Sequence, residues 1–242
     1  MAQNPPLSPN LVYRRLTATD EAQVRELCAE CFPITYPDRW YSYITSDQVF
    51  SLSAWTEGCN RPPGNGSGLV GMLVAELQGL EQLEGEGVLA LERSETNTTA
   101  MYVISLGITE RYRRCGIGHY LMTSLLDHVT STLSNCWAVY LHVVSSNTPA
   151  IEFYRRFGFS SLTCIPGYYT ISQRPQDGLL FIRYVNQGEP FSHSLSAYTR
   201  RYVTESSSCR LVAGLCQALR HWLTQYTFRN NTDSKNRLLC PP

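Results

Sequence analysis

The stretch Met101-Tyr102-Val103-Ile104-Ser105-Leu106-Gly107-Ile108, followed four residues later by Arg113-Arg114-Cys115-Gly116-Ile117-Gly118, decides the fold of this chain. Residues 101–108 are apolar and β-rich and read as a strand, whereas residues 117–130 carry apolar side chains at helical spacing. Between them lies a glycine turn. Two glycines let the backbone approach a ligand closely, and the open N–H groups and dipole of the following helix favour a phosphate or pyrophosphate. Arg113 and Arg114 add positive charge at its mouth. On its own the string leaves two readings open, an anion cradle or glycines that only permit a turn. It lacks the third glycine of a dinucleotide fingerprint and the Gly-Lys-Ser/Thr of a nucleotide triphosphate loop.

Working towards the N-terminus, residues 69–77 and 49–55 read as strands joined by the turn-rich stretch 57–68, and residues 76–95 as an acidic, flexible loop. Residues 11–16 form a first strand. Thr19 or Asp20 then caps a helix with Ala22, Val24, Leu27, Cys28 and Cys31 on one side, ended by Pro33 and Pro37, and a short helix covers residues 38–45. Towards the C-terminus, residues 138–144 form a buried strand and Pro149 opens a helix that Gly158 stops. Strands follow at 159–165 and 179–185. The pattern is mixed α/β, with hairpins early and strand-helix-strand units later that imply a locally parallel pairing.

The 242 residues accommodate one full core plus an appendage. The expected organisation is a disordered N-terminus at 1–10, a domain at 11–187, and a linker and tail at 188–242. Residues 1–10 have neither a basic start nor an apolar run, so the chain is expected to begin in the cytosol. Nine irregularly spaced cysteines are expected as thiols, and Cys28-x-x-Cys31 lacks the second pair or histidines of a zinc site. The sequons at Asn65, Asn97 and Asn230 mean little without a secretory route. Net charge is zero but uneven. From Glu189 onward seven Lys/Arg face three acids, and the body carries the compensating acidic excess. This argues against a broad nucleic-acid surface and for a negatively charged partner of the tail. In residues 209–228, Leu211, Val212, Leu215, Cys216, Leu219, Trp222, Leu223 and Tyr226 form one helical stripe opposite Arg210, Gln217, Arg220, Thr224 and Gln225. Such a helix either packs on the core or lies in a membrane interface; its place after a polar linker favours the membrane.

Residues 102–108, the glycine loop and Ala150-Ile151-Glu152-Phe153-Tyr154-Arg155-Arg156-Phe157-Gly158-Phe159 together resemble the GCN5-related N-acetyltransferase family across most of the core. More narrowly, Cys31-Phe32-Pro33-Ile34-Thr35-Tyr36-Pro37, Tyr140-Leu141-His142-Val143 and the basic amphipathic tail resemble its Golgi-associated N-alpha-acetyltransferases. The resemblance implies a mixed sheet of about seven strands flanked by helices, with an amphipathic helical tail. It implies transfer of acetyl from acetyl-CoA, without a metal, to protein N-termini that begin with Met and a hydrophobic or amphipathic residue. Histone lysine acetylation, with a role in chromatin regulation, is implied as well. The expected location is the cytosolic face of the Golgi membrane, held through residues 209–228, as a monomer or weak homodimer.

Carried onto this chain, the resemblance makes Tyr102 and His142 general bases. Leu106, Gly107 and Ile108 hold the acetyl and pantetheine arm, and Arg114, Cys115, Gly116, Ile117, Gly118 and His119 the pyrophosphate. Asn147, Tyr154, Arg155, Arg156 and Phe157 make the remaining coenzyme contacts, Tyr154 as donor to the departing thiolate. Phe32, Tyr36, Ile104 and Tyr169 line the peptide side. Taken singly, each has a plainer reading. His142 fits an ordinary core histidine, Tyr102 packing, Tyr168 and Tyr169 a hairpin turn, and Phe153 and Tyr154 a buried helix face. Two departures from the family pattern stand out: Thr35 in place of an acidic residue, and Gly167 in place of a tyrosine. Loss of that carboxylate keeps open a membrane-bound scaffold that binds acetyl-CoA with little catalysis. Lys235 is the chain's single lysine, which excludes autoacetylation at a core lysine.

Overall fold

The computed structural model describes residues 10–56, 68–79, 99–186 and 188. The three sequons, most of the acidic loop, residues 1–9 and the helix expected at 209–228 lie outside the described residues. Seven strands form one sheet in the order β1-β2-β3-β4-β5-β7-β6. They are β1 (Leu11–Arg14), β2 (Phe50–Thr56), β3 (Leu69–Gln78), β4 (Thr99–Ile108), β5 (Cys136–Val144), β6 (Ser160–Ile171) and β7 (Arg174–Tyr184). All neighbours are antiparallel except β4 and β5. A parallel pair needs a crossover, here supplied by α3 (Ile117–Thr132). The other described α-helices are α1 (Glu21–Cys31), α2 (Asp38–Ile44) and α4 (Thr148–Arg156).

The helix periodicity explains the layers. Ile117, Leu121, Met122, Leu125, Leu126 and Val129 of α3 are buried with Met101, Val103, Val139, Leu141 and Phe181 in one core. Val24, Leu27 and Cys28 of α1 are buried too, as are Trp40 and Ile44 of α2. The 3-10 turn Ala18–Asp20 that leads into α1 is fixed by Asp20, whose carboxylate accepts from both terminal guanidinium nitrogens of Arg14 at 2.7 Å and forms a capping box with Thr17. Cys28 is buried at the helix end, and Cys28, Cys31, Cys115, Cys136 and Cys164 are thiols.

Two expectations need correction. Residues 76 and 77, where the expected strand and acidic loop overlap, and Gln78, expected in the loop, complete β3, where Glu76 pairs with Tyr102. Strands β6 and β7 are longer than expected and meet at Ser172 and Gln173, both with positive φ, in a two-residue turn. Tyr168 and Tyr169 therefore lie in a strand, not on the turn. Composition concealed this, because Ser-Gln is a poor turn signal whereas Asp177-Gly178, which looks like one, sits inside β7.

Asn186 locks the far end of α3. Its side-chain nitrogen lies 2.8 Å from the carbonyl oxygen of Leu133, 2.9 Å from that of Cys136 and 3.4 Å from that of Val129, while its backbone takes φ 48°. It thus ties the end of α3 to the start of β5: the Val129 and Leu133 carbonyls, which also accept from the Leu133 and Cys136 amides, and the Cys136 carbonyl all converge on one side-chain amide. Asn186→Ala is expected to cost about 1–3 kcal/mol, read as a lowered urea midpoint with an unchanged m-value. Asn186→Gly, which relieves the backbone but not the carbonyls, should recover only part of the loss, and an unaltered midpoint for Asn186→Ala would contradict this role.

Candidate active site

The sheet opens in its middle. Parallel pairing between β4 and β5 runs from Thr99 opposite Cys136 to Tyr102 opposite Tyr140 and stops there, while β5 continues against β7 as far as Val144 opposite Gly178. The cause lies on the other side of β4. Val103 and Ser105 pair with the adjacent residues Ala75 and Val74, so Ile104 is an extra residue in the ladder, and a bulge of this kind bends its strand. Beyond Tyr102 the β5-facing backbone of β4, including Leu106, Gly107 and Ile108, has no strand partner.

The glycine loop closes one end of this wedge. After β4 a 3-10 turn (Glu110–Tyr112) leads to Arg114 at φ 64° and Gly116 at φ 83°, and α3 begins at Ile117. Ile117 is buried and anchors the turn, whereas Arg114, Cys115, Gly116 and His119 are exposed around the first helical amides. Arg113 behaves differently from the sequence reading. Its Nε donates to the Ile108 carbonyl at 3.0 Å, so it braces the end of β4. Glu30 of α1 accepts from the Glu110 amide at 2.7 Å and ties the loop to the opposite layer.

Helix α4 meets α3 at the same end. The His119 and Phe157 ring centroids are 4.9 Å apart, and Gly118 lies against the Phe153 ring, a contact the sequence reading missed. Arg155 and Arg156 are exposed and Tyr154 is buried, with burial holding its phenol above the ordinary tyrosine range. The Asn147 side-chain oxygen accepts from the Ala150 amide at 3.3 Å, so this residue caps α4.

Tyr102 and His142 meet at the apex of the wedge, where the His142 Nδ1 and Tyr102 Oη are 3.4 Å apart. Tyr140, fully buried and hydrogen-bonded to Gln78, lies 4.9 Å from the Tyr102 ring. The His142 ring stacks on Tyr168 at 4.4 Å and 15°. Tyr169, expected on the peptide side, is buried in β6 with its ring 4.8 Å from that of Tyr168, whose stack on the histidine adds a residue the sequence reading did not place at the site. Burial among aromatic rings pushes the His142 imidazole down to about 3. On the α1 side Phe32 approaches Gly107 so closely that a β-carbon there would lie 2.9 Å from its ring. Tyr36 meets the edge of Phe32 at 6.2 Å and stacks on Trp40 at 3.7 Å, and Ile104 is buried at the bulge. The structure thus gathers Tyr102 and His142 at one point, and sets Phe32, with Tyr36 at its edge, against Gly107 of β4. Among the described residues no cluster of His, Cys, Asp or Glu has the arrangement of a metal site.

The His142 shift has a definite sign. Its folded value lies below the ordinary histidine value of 6.5, so the unfolded chain protonates first and stability falls as pH drops from about 6.5 towards 3. His142→Gln, which does not titrate, should lack this loss. The difference in urea-unfolding free energy between the two proteins is expected to grow on acidification by up to about 1.4 kcal/mol per pH unit. Parallel pH profiles would show that the imidazole is not held neutral.

Comparison with known proteins accords with this geometry. The acetyltransferase (GNAT) family matches residues 21–159. N-alpha-acetyltransferase 60 of Danio rerio is 37% identical over 180 residues, covering 73% of this chain and 71% of the relative. The Xenopus tropicalis protein of the same name is 37% identical over 78% of this chain and 75% of its own length. The crystal structure of Arabidopsis thaliana NAA60 in complex with a bisubstrate analogue superposes with a TM-score of 0.64 at 26% identity, over 74% of this chain and 100% of that one. The chain is an acetyltransferase of the GNAT family, similar within it to the N-alpha-acetyltransferase 60 proteins.

Proposed function

We propose that the chain transfers acetyl from acetyl-CoA to the α-amine of protein N-termini that start with Met and a hydrophobic or amphipathic residue. The observation that carries this reading is the Tyr102–His142 pair at the apex of the wedge, between an anion cradle on one side and an aromatic wall on the other. The cradle of Arg114, Cys115, Gly116, Ile117, Gly118 and His119 suits a pyrophosphate, and the unpaired backbone of Leu106, Gly107 and Ile108 suits an amide-bearing pantetheine arm. Asn147, Tyr154, Arg155, Arg156 and Phe157 complete the coenzyme side. Phe32, Tyr36, Ile104 and Tyr169, joined by Tyr168, surround the first residues of the peptide with apolar surface.

Transfer is direct. The amine nitrogen bonds to the thioester carbonyl carbon, the carbonyl electron pair moves to oxygen, and its return breaks the carbon–sulfur bond and releases the coenzyme thiolate. Tyr154, which keeps its proton through burial, donates a hydrogen bond to that thiolate. A weakly basic imidazole is a poor acceptor for an isolated ammonium. It is adequate once attack on the carbonyl has made the nitrogen strongly acidic, and Tyr102 relays that proton to it.

The same property separates substrates. An α-amine with a pKa of about 7.7–8.0 is roughly a quarter free base near pH 7.4, whereas lysine at about 10.4 is only about one part in a thousand free base. A site that waits for the neutral amine therefore favours N-termini over lysine side chains, histones included. The tail is proposed as the anchor to the cytosolic face of the Golgi membrane, on the strength of its sequence pattern.

The decisive assay offers acetyl-CoA with a Met-Val peptide and with its N-terminally blocked, lysine-containing twin. Wild type should acetylate the free N-terminus, with Tyr102→Phe and His142→Ala each lowering kcat by about 10²–10⁴-fold. Transfer to the blocked twin alone would move the activity to lysine, and coenzyme binding without transfer to either would leave a scaffold. For the tail, full-length protein should float with anionic vesicles and Trp222→Asp/Tyr226→Asp protein should not; equal flotation would refute the anchor.

A further inference from the structure

One pair of residues in β7, Asp177 and Gly178, lies against the segment that carries Tyr168, and neither was singled out by the sequence reading. Gly178 stands opposite Val144 of β5 on one side and Ile165 of β6 on the other. A β-carbon at Gly178 would lie 2.9 Å from the Tyr168 β-carbon and 3.0 Å from two of its ring atoms. The absence of a side chain at this position is what gives the Tyr168 ring room to lie against β7 and reach His142. The pairing of β6 with β7 is interrupted between Ile165 and Tyr169, and Gly167 within that interruption takes φ 65°. Asp177 fixes it from the next position. Its Oδ1 accepts from the Gly167 amide at 2.8 Å, and its backbone carbonyl accepts from the Ser145 amide, just past the end of β5, also at 2.8 Å.

We propose that Asp177 and Gly178 are positioning residues that hold Tyr168 flat on His142 and thereby keep the imidazole covered and oriented towards Tyr102. The proposal deepens the acetyl-transfer reading, because the kinetic consequence rests on His142 acting as a base there. The logic is geometric. Asp177 pins the irregular segment of β6 immediately before Tyr168 and ties the same strand to the end of β5. Gly178 leaves the space into which the ring settles. Together they place the Tyr168 ring 4.4 Å from the His142 ring at 15°, a near-parallel stack. The imidazole faces the rings of Tyr102, Tyr140 and Tyr168, and burial disfavours its protonation. Gly167, which departs from the tyrosine expected in the family pattern, has a physical reason in this arrangement, since its left-handed backbone suits glycine.

The test follows the His142 ring resonances of full-length protein by NMR through a pH titration. They are assigned among the five histidines by their loss in His142→Ala. Wild type should show no His142 transition between pH 5 and 8. In Gly178→Ala and Asp177→Ala the ring is uncovered, and a transition should emerge and move towards 6.5. Asp177→Asn keeps an oxygen that can accept from the Gly167 amide and should behave as wild type. The same two alanine variants should lose about tenfold or more in kcat, with the KM for acetyl-CoA within about twofold of wild type. If Gly178→Ala fails to fold, the Asp177→Ala and Asp177→Asn pair carries the test alone. Folded alanine variants with an unmoved His142 titration overturn the proposal whatever their activity. A moved titration with full activity, together with an active His142→Ala, upholds the positioning and refutes the base.

Discussion

The early parting of β4 and β5 is the constraint on which the rest of the site depends. A continuous parallel ladder would leave nowhere for a ligand to pair with backbone. Here β4 carries the extra residue Ile104 just after Tyr102, a bulge of the kind that bends its strand, while β5 stays paired with β7 as far as Val144. The parting sets both the wedge and its chemistry: Tyr102 is the last residue of β4 paired with β5, and His142 is two positions beyond its partner Tyr140. The α1 layer and the α3 layer then supply the two flanks. Phe32 rests on Gly107 from one side, and the first turn of α3 opens on the other.

Electrostatics follows from packing rather than from charge. No neighbouring cation is needed beside His142 to keep it neutral, because burial among aromatic rings penalises the charged form. The cationic groups lie elsewhere, at Arg114 in the loop and at Arg155 and Arg156 on α4, where exposure lets them meet phosphate without a desolvation cost. On the proposed reading, substrate choice comes from a neutral, apolar apex, and coenzyme attraction from a separate polar rim.

Much of this was legible in the residues. The strand-turn-helix at 101–130 is written in periodicity, and the positions of α1, α2, α3 and α4 follow from apolar spacing and from proline and glycine at their ends. The candidate residues along β4, the loop and α4 also fall together in space. What the sequence does not display are features that depend on pairing between distant strands. The bulge at Ile104 involves Val74 and Ala75, Tyr168 of β6 stacks on His142 of β5, and the Ser172–Gln173 turn has no compositional mark. Arg113 illustrates the limit of reading charge alone, since its guanidinium turns back to the Ile108 carbonyl. A one-residue change in register reverses which side chain faces the site, and register is a tertiary property.

The central claim is that a neutral, weakly basic histidine at the parting of β4 and β5 acts on an amine that has already lost its ammonium proton. The pH dependence of kcat/KM for an N-terminal peptide tests it most directly, measured for two peptides whose α-amines differ in pKa. The account predicts a single rising limb whose midpoint moves with the amine's own pKa, and no limb near 6.5. A midpoint near 6.5 common to both peptides would contradict it, because it would mean that an ordinary, titrating histidine controls the reaction.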